Sequence, residues 1–162
     1  MKWPINEIFD LIATIPDPEI PVINIVELGV LRRVEYDGDR LMIYITPTYS
    51  GCPAMKQMED DIYNVLRSNN ITNAEIKTIY NPPWTTDWIT EEAKEKLFAY
   101  GIAPPERTSP DKSWLSQDRK KIICPRCKSD NTEMVSQFGS TACKALYKCL
   151  DCFEPFDYFK CL

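Results

Sequence analysis

The chain has 162 residues, 44% of them hydrophobic, and carries 19 lysines and arginines against 24 aspartates and glutamates, a net charge of −5. It contains seven cysteines and no histidine, which excludes imidazole as base, proton shuttle or metal ligand, and with it Ser-His-Asp and Cys-His nucleophile activation. The length suits one ordinary domain with a small appendage, and no run of about 18 apolar residues is present to span a membrane.

In chain order, Ile5, Ile8, Phe9 and Ile12 recur at helical spacing after Pro4, which suits a first turn. Glu7 and Asp10 interrupt this stretch, so it is not expected to act as a signal peptide. Pro16, Pro18 and Pro21 stop the helix. Val30 to Tyr36 and Arg40 to Thr46 are β-branched and apolar runs flanking Asp37-Gly38-Asp39, a hairpin signature. Gly51-Cys52-Pro53 opens a second helix with Met55, Met58, Ile62, Val65 and Leu66 on one face. Ala74, Ile76, Thr78 and Tyr80 suggest a third strand before Pro82-Pro83-Trp84, and Thr90 caps a last helix that ends at Gly101. The order helix, strand, strand, helix, strand, helix predicts a small α/β (α+β) layer fold.

Two groups in this half invite chemistry. Cys52, its only cysteine, lies at the mouth of a predicted helix, where the helix dipole would stabilise a thiolate. The same position equally suits a plain buried thiol. Asp17 and Glu19 stand on a proline-framed loop and read either as hard oxygen ligands beside Cys52, suited to a transient iron site, or as capping groups. Trp84 is expected to pack at the end of a strand.

Prolines 104, 105 and 110 mark an extended linker over residues 103–120, dividing a domain at 1–102 from a tail at 121–162. Residues 1–102 hold 9 basic and 16 acidic side chains, net −7, whereas the tail holds 6 and 5, net +1, with six cysteines. Cys124-Pro125-Arg126-Cys127 and Cys149-Leu150-Asp151-Cys152 are two CxxC knuckles separated by 21 residues. Two tight turns of this kind supply the four thiolates of a closed tetrahedral zinc site, here with a β-hairpin between them tipped by Gly139-Ser140. A tail this short cannot fold on apolar burial alone, and structural zinc would supply what is missing. Iron or an iron–sulfur cluster on the same thiolates is the minor alternative.

Cys143 and Cys161 are left over, read either as small buried hydrophobes or as a second thiol pair. Phe153, Phe156, Tyr158 and Phe159 are expected to form the tail's core or a protein contact. With so little positive charge, neither half is expected to bind nucleic acid. The wealth of unpaired thiols predicts a cytoplasmic protein, and the exposed hairpin edge could pair across a homodimer.

Together, Asp17-Pro18-Glu19-Ile20-Pro21, Val26-Glu27-Leu28-Gly29, Thr48-Tyr49-Ser50-Gly51-Cys52-Pro53 and Asn81-Pro82-Pro83-Trp84 resemble the MIP18 family, also called DUF59, over residues 5–101. The tail motifs Phe138-Gly139-Ser140-Thr141, Cys143-Lys144-Ala145-Leu146-Tyr147 and Glu154-Pro155-Phe156 narrow the resemblance to the phenylacetate-degradation D family of phenylacetyl-CoA epoxidase systems. That resemblance implies a compact domain related to iron–sulfur assembly factors followed by a zinc ribbon. It also implies an accessory role in maturing the oxygenase or reductase subunits of a monooxygenase, with no catalytic residue of its own. The family's reactive cysteine matches Cys52 and its acidic loop matches Asp17 and Glu19. Tyr49 and Ser50 depart from the family's usual pattern. The competing reading is a zinc-binding structural adaptor of the same complex.

Overall fold

The computed structural model describes residues 2–106 and 121–160. These form two compact units, Met1–Ala93 and Lys94–Leu162. Each is described by itself.

In the first unit, helix α1 (Ile5–Ile12) starts at Pro4, which sits at the N-cap, and buries Ile8 and Ile12. Strands β1 (Leu31–Asp37) and β2 (Arg40–Ile45) form the expected antiparallel hairpin, with Asp37 opposite Arg40 and Gly38 at φ +59° in the turn. Helix α2 (Ala54–Ser68) buries Ala54, Met58, Ile62 and Leu66, an i, i+4 stripe that forms one apolar face. Strand β3 (Ala74–Thr78) pairs parallel to β2, so the sheet order is β1-β2-β3. A parallel pair needs a crossover, and α2 provides it. The central strand is the most deeply packed, with Leu41, Met42, Ile43 and Ile45 all buried. The third strand is shorter than expected, and Tyr80 is exposed beyond its end.

Beyond this sheet, Trp84 is buried and its indole N–H donates to the Leu28 carbonyl at 2.9 Å. A single 3-10 turn, Thr86–Trp88, follows. Gly29 lies against it at φ +79°, and a Cβ on that residue would come within 2.7 Å of Trp88 Cβ. Glycine is therefore required there on both conformational and steric grounds. Helix α3 (Glu91–Tyr100) is capped by Thr90, whose hydroxyl accepts from the Ala93 N–H at 3.1 Å. It stops at Gly101, φ +99°. Cap and stop both fall where the sequence places them.

The second unit is a four-stranded sheet in the order β4-β7-β6-β5. Strand β4 (Ile102–Ala103) pairs parallel to β7 (Pro155–Phe159), and β7 and β5 (Thr132–Ser136) flank β6 (Lys144–Cys149) antiparallel. The structural division falls between Ala93 and Lys94, and Ala103 is buried in the core of the second unit. Most of the segment anticipated as a linker, residues 107–120, lies outside the described residues. The core gathers Ala103, Ile122, Ala145, Tyr147, Phe156 and Tyr158 around Cys124 and Cys149. Tyr147 meets Tyr158 edge-on at 5.6 Å. Of the four tail aromatics expected to form a core or a protein contact, Phe156, Tyr158 and Phe159 are buried and Phe153 is exposed. The tip of the β5–β6 turn folds back on β7, where a Cβ on Gly139 would stand 2.6 Å from Asp157 Oδ1.

The architecture is thus the anticipated mixed α/β unit with a β module behind it. No helix among the described residues is long and apolar enough to cross a membrane.

Candidate functional site

Two sites emerge, one in each unit. In the second, the sulfurs of Cys124, Cys127, Cys149 and Cys152 all lie within 4.8 Å of one another. Cys124 Sγ stands 3.8 Å from Cys152 Sγ, and Cys127 Sγ stands 3.5 Å from Cys149 Sγ. A tetrahedral zinc ion with zinc–sulfur bonds of about 2.3 Å sets its ligands roughly 3.8 Å apart, so these four residues fit a metal of that size and softness. The two knuckles share a construction. Each CxxC turn is followed by a non-glycine residue in the left-handed region, Lys128 at φ +63° and Phe153 at φ +61°. That turn lets both sulfurs of a pair converge. The Lys128 N–H donates to the Cys124 carbonyl at 2.9 Å, and the Cys152 N–H approaches Cys149 Sγ at 3.5 Å. This amide, with that of Asp151 behind it, helps to pull the Cys149 thiol down to about 7.

Sequence reasoning missed the clamp that joins the knuckles. Asp151, inside the second CxxC, accepts from the Ser129 hydroxyl and from the Asn131 side-chain amide at 2.7 Å. Ser129 in turn accepts from the Asn131 N–H at 3.0 Å, and the Leu150 N–H donates to the Asn131 carbonyl at 2.8 Å. The only hint in the sequence is a carboxylate between two metal-spaced cysteines. Cys143 stands apart from the cluster. It is buried just before β6, with Thr141 Oγ1 at 3.0 Å from its sulfur. Cys161 lies outside the described residues.

In the first unit, the chain leaves β2 at Thr46 and turns through Gly51, φ +78°, to reach Cys52. Pro53 is the N-cap of α2, so Cys52 lies just outside the first helical turn. Its N–H donates to the Tyr49 carbonyl at 3.2 Å. The thiol is half-buried. Burial pushes its pKa up; the Ala54 N–H pulls it down, the Glu19 charge raises it, and hydrogen bonds from Thr48 and Tyr49 lower it. Of the two readings of its position, this environment favours the plain buried thiol: the helix-terminal amide lowers the pKa as anticipated, but desolvation outweighs it.

The Glu19 charge thus acts on Cys52 from a loop 33 residues earlier in the chain. Asp17 plays another part. It is buried, and its Oδ1 accepts from the Glu19 N–H at 2.9 Å and the Ile20 N–H at 2.7 Å. Its own N–H donates to the Ile23 carbonyl at 2.8 Å. These bonds fix the loop that carries Glu19. Thr48 and Tyr49 join the site as hydroxyl donors that the sequence marked only as motif neighbours.

Comparison with known proteins divides the chain in the same way. Residues 5–77 match the iron–sulfur cluster assembly protein family, and residues 108–160 match the PaaD zinc beta ribbon domain. A protein of Escherichia coli (strain K12), provisionally named as the D component of 1,2-phenylacetyl-CoA epoxidase, is 47% identical over 98% of this chain and 93% of its own length. An Fe-S protein maturation auxiliary factor of Bacillus subtilis (strain 168) is 34% identical over 57% of this chain and 91% of its own. The crystal structure of a DUF59 domain from Bacillus anthracis is similar with a TM-score of 0.53, at 30% identity over 57% of this chain and 89% of that one. With identity sustained over nearly the full length of both proteins, the chain belongs to the family of the phenylacetyl-CoA epoxidase D components, an iron–sulfur assembly domain joined to a zinc ribbon.

Proposed function

We propose that the chain is an accessory component of a phenylacetyl-CoA epoxidase. In this reading it receives iron or an iron–sulfur cluster at Cys52 and hands it to the oxygenase or reductase subunit. The observation that carries this reading is a half-buried thiol whose pKa is raised by burial and by the Glu19 charge. A nucleophile would need the thiolate free at neutral pH, and this environment works against it. A cargo cation reverses the balance. As the sulfur bonds to iron, its proton leaves to solvent, and the Glu19 charge that opposed the free thiolate now faces a cation. Thr48 and Tyr49 donate to the sulfur, and Asp17 positions the Glu19 loop. Cargo held by one thiol and one carboxylate, with no closed ligand set, can be released again.

The four tail cysteines take the resident metal, for which zinc suits the donor set. Bound there, zinc supplies fold rather than chemistry, and the ribbon serves as the module that meets the client. Neither nucleic acid nor membrane is a partner in this reading, and the reduced thiols suit the cytoplasm.

The test is to load oxygenase and reductase with iron in the presence of the wild-type chain or Cys52→Ala. Loading of one client is expected to fall at least tenfold with the variant, while tail zinc content stays the same. Unchanged loading would leave the chain as a zinc-holding structural adaptor.

A further inference from the structure

In the ribbon, β5 is an edge strand, and it carries apolar side chains where an edge usually carries charge. Met134 is 56% exposed, Val135 57%, and Phe138, two residues past the strand, 62%. The register slips between Met134 and Ser136, so Val135 is an extra residue against β6. That bulge leaves two consecutive apolar side chains exposed on the edge.

Two charges at opposite ends of this edge lack ionic partners among the described residues. Glu133, near its start, forms no ion pair there, although Lys148 stands opposite it in register. Lys160 lies by its far end, over the Phe138 ring at 4.4 Å and donating to the Gln137 carbonyl. Both of those contacts are to neutral groups. Elsewhere in the same unit Lys121 pairs with Asp130 at 3.0 Å and Arg126 with Glu154 at 3.4 Å, while Lys128, Lys144, Lys148 and Asp157, away from this edge, also form no ion pair among the described residues.

We propose that β5 is a self-complementary docking edge, occupied by the β5 strand of a second copy of this chain running antiparallel about a two-fold axis near Val135. In an antiparallel pairing of identical strands, the start of one faces the end of the other. With the axis at Val135, Glu133 of each copy stands opposite Gln137 of the other, beside Lys160 and Phe138, and the two Val135 residues face one another with Met134 diagonal to them. This arrangement pairs both charges of this edge twice and covers its apolar side chains. A nucleic acid would satisfy Lys160 but leave Glu133 facing phosphate. A five-residue strand with two apolar side chains, and Phe138 just beyond it, is a small interface, below about 1,200 Å² in total, and so sits at the weak end of specific association. The inference does not depend on the proposed function.

The test follows the full-length, metal-replete chain, with no other protein present, by analytical ultracentrifugation from about 1 to 200 µM, a range spanning weak self-association. A monomer–dimer equilibrium is expected for the wild type. E133K or K160E, each placing like charges across the axis, is expected to weaken it at least tenfold. The double variant E133K/K160E restores the opposite-sign pairs and is expected to return dimerisation to within about threefold of wild type. Zinc content measured on every variant reports whether the ribbon stays folded, and Val135→Lys, which changes neither charged partner, provides a second disruption. A wild type that stays monomeric throughout overturns the proposal, as does a dimer indifferent to V135K or one that the charge swap fails to restore in a zinc-replete protein.

Discussion

Glu19 acts on Cys52 in opposite senses depending on what the sulfur holds. Facing an empty thiol, its charge raises the pKa, adding to the dominant effect of burial. Facing a metal-bound sulfur, the same charge attracts. Glu19→Gln should therefore speed alkylation of Cys52 by iodoacetamide at pH 8, roughly two- to fivefold, while weakening iron capture. A purely structural Glu19 would leave both unchanged. The sign of the pH dependence follows from the raised pKa. Below it the thiol is protonated, and each captured cation must expel one proton. Iron affinity at Cys52 should therefore rise from pH 6 to pH 8, by about tenfold per unit, in a competition titration. At this scale the sequence was half legible. The pairing of Gly51, Cys52 and Pro53 marks a thiol at a helix mouth. Its protonation state depends on how much water the surrounding loops exclude and on Glu19, 33 residues earlier in the chain.

Among the elements, the ribbon shows most clearly how side chains outside the metal's own ligands shape a site. Asp151 is not among the four clustered sulfur donors but ties the second knuckle to Ser129 and Asn131, just past the first. Those hydrogen bonds hold its carboxyl below the usual carboxylate range. Asp151→Ala should lower zinc affinity by about 10- to 100-fold, as loss of a supporting group commonly does. Competition against a chromophoric chelator measures this, and an unchanged affinity would make the clamp irrelevant to the metal. The CxxC spacing reveals the ligands because it is local. The clamp joins residues about twenty positions apart, and no spacing rule reports it. The first unit gives the complementary case. The α2 stripe, the Thr90 cap and the 37–40 hairpin are all local patterns and stand as expected. The parallel docking of β3 on β2 is not local, since strand periodicity is the same whichever way a neighbour runs.

For the whole molecule, the two units are expected to depend on metal unequally. The first has a sheet, two packed helical faces and a core of isoleucines, whereas the second has a few aromatic side chains around cysteine sulfurs. Bound zinc is worth roughly 10–16 kcal/mol in small modules of this kind, more than such a core supplies alone. Stripping the metal with a strong chelator should therefore remove hydrogen-exchange protection from β5, β6 and β7 while leaving β1, β2 and β3 protected. Loss of protection in both units together would contradict this independence. By itself, the sequence determined the class of fold and marked the four cysteines that the second unit gathers, because each is written in short-range periodicity and spacing. Tertiary structure alone decided that Ala103 belongs to the ribbon's core, that Asp17 braces a loop, and that burial and the Glu19 charge raise the pKa of Cys52. These facts rest on burial and on contacts between distant segments, which exist only once the chain has closed on itself.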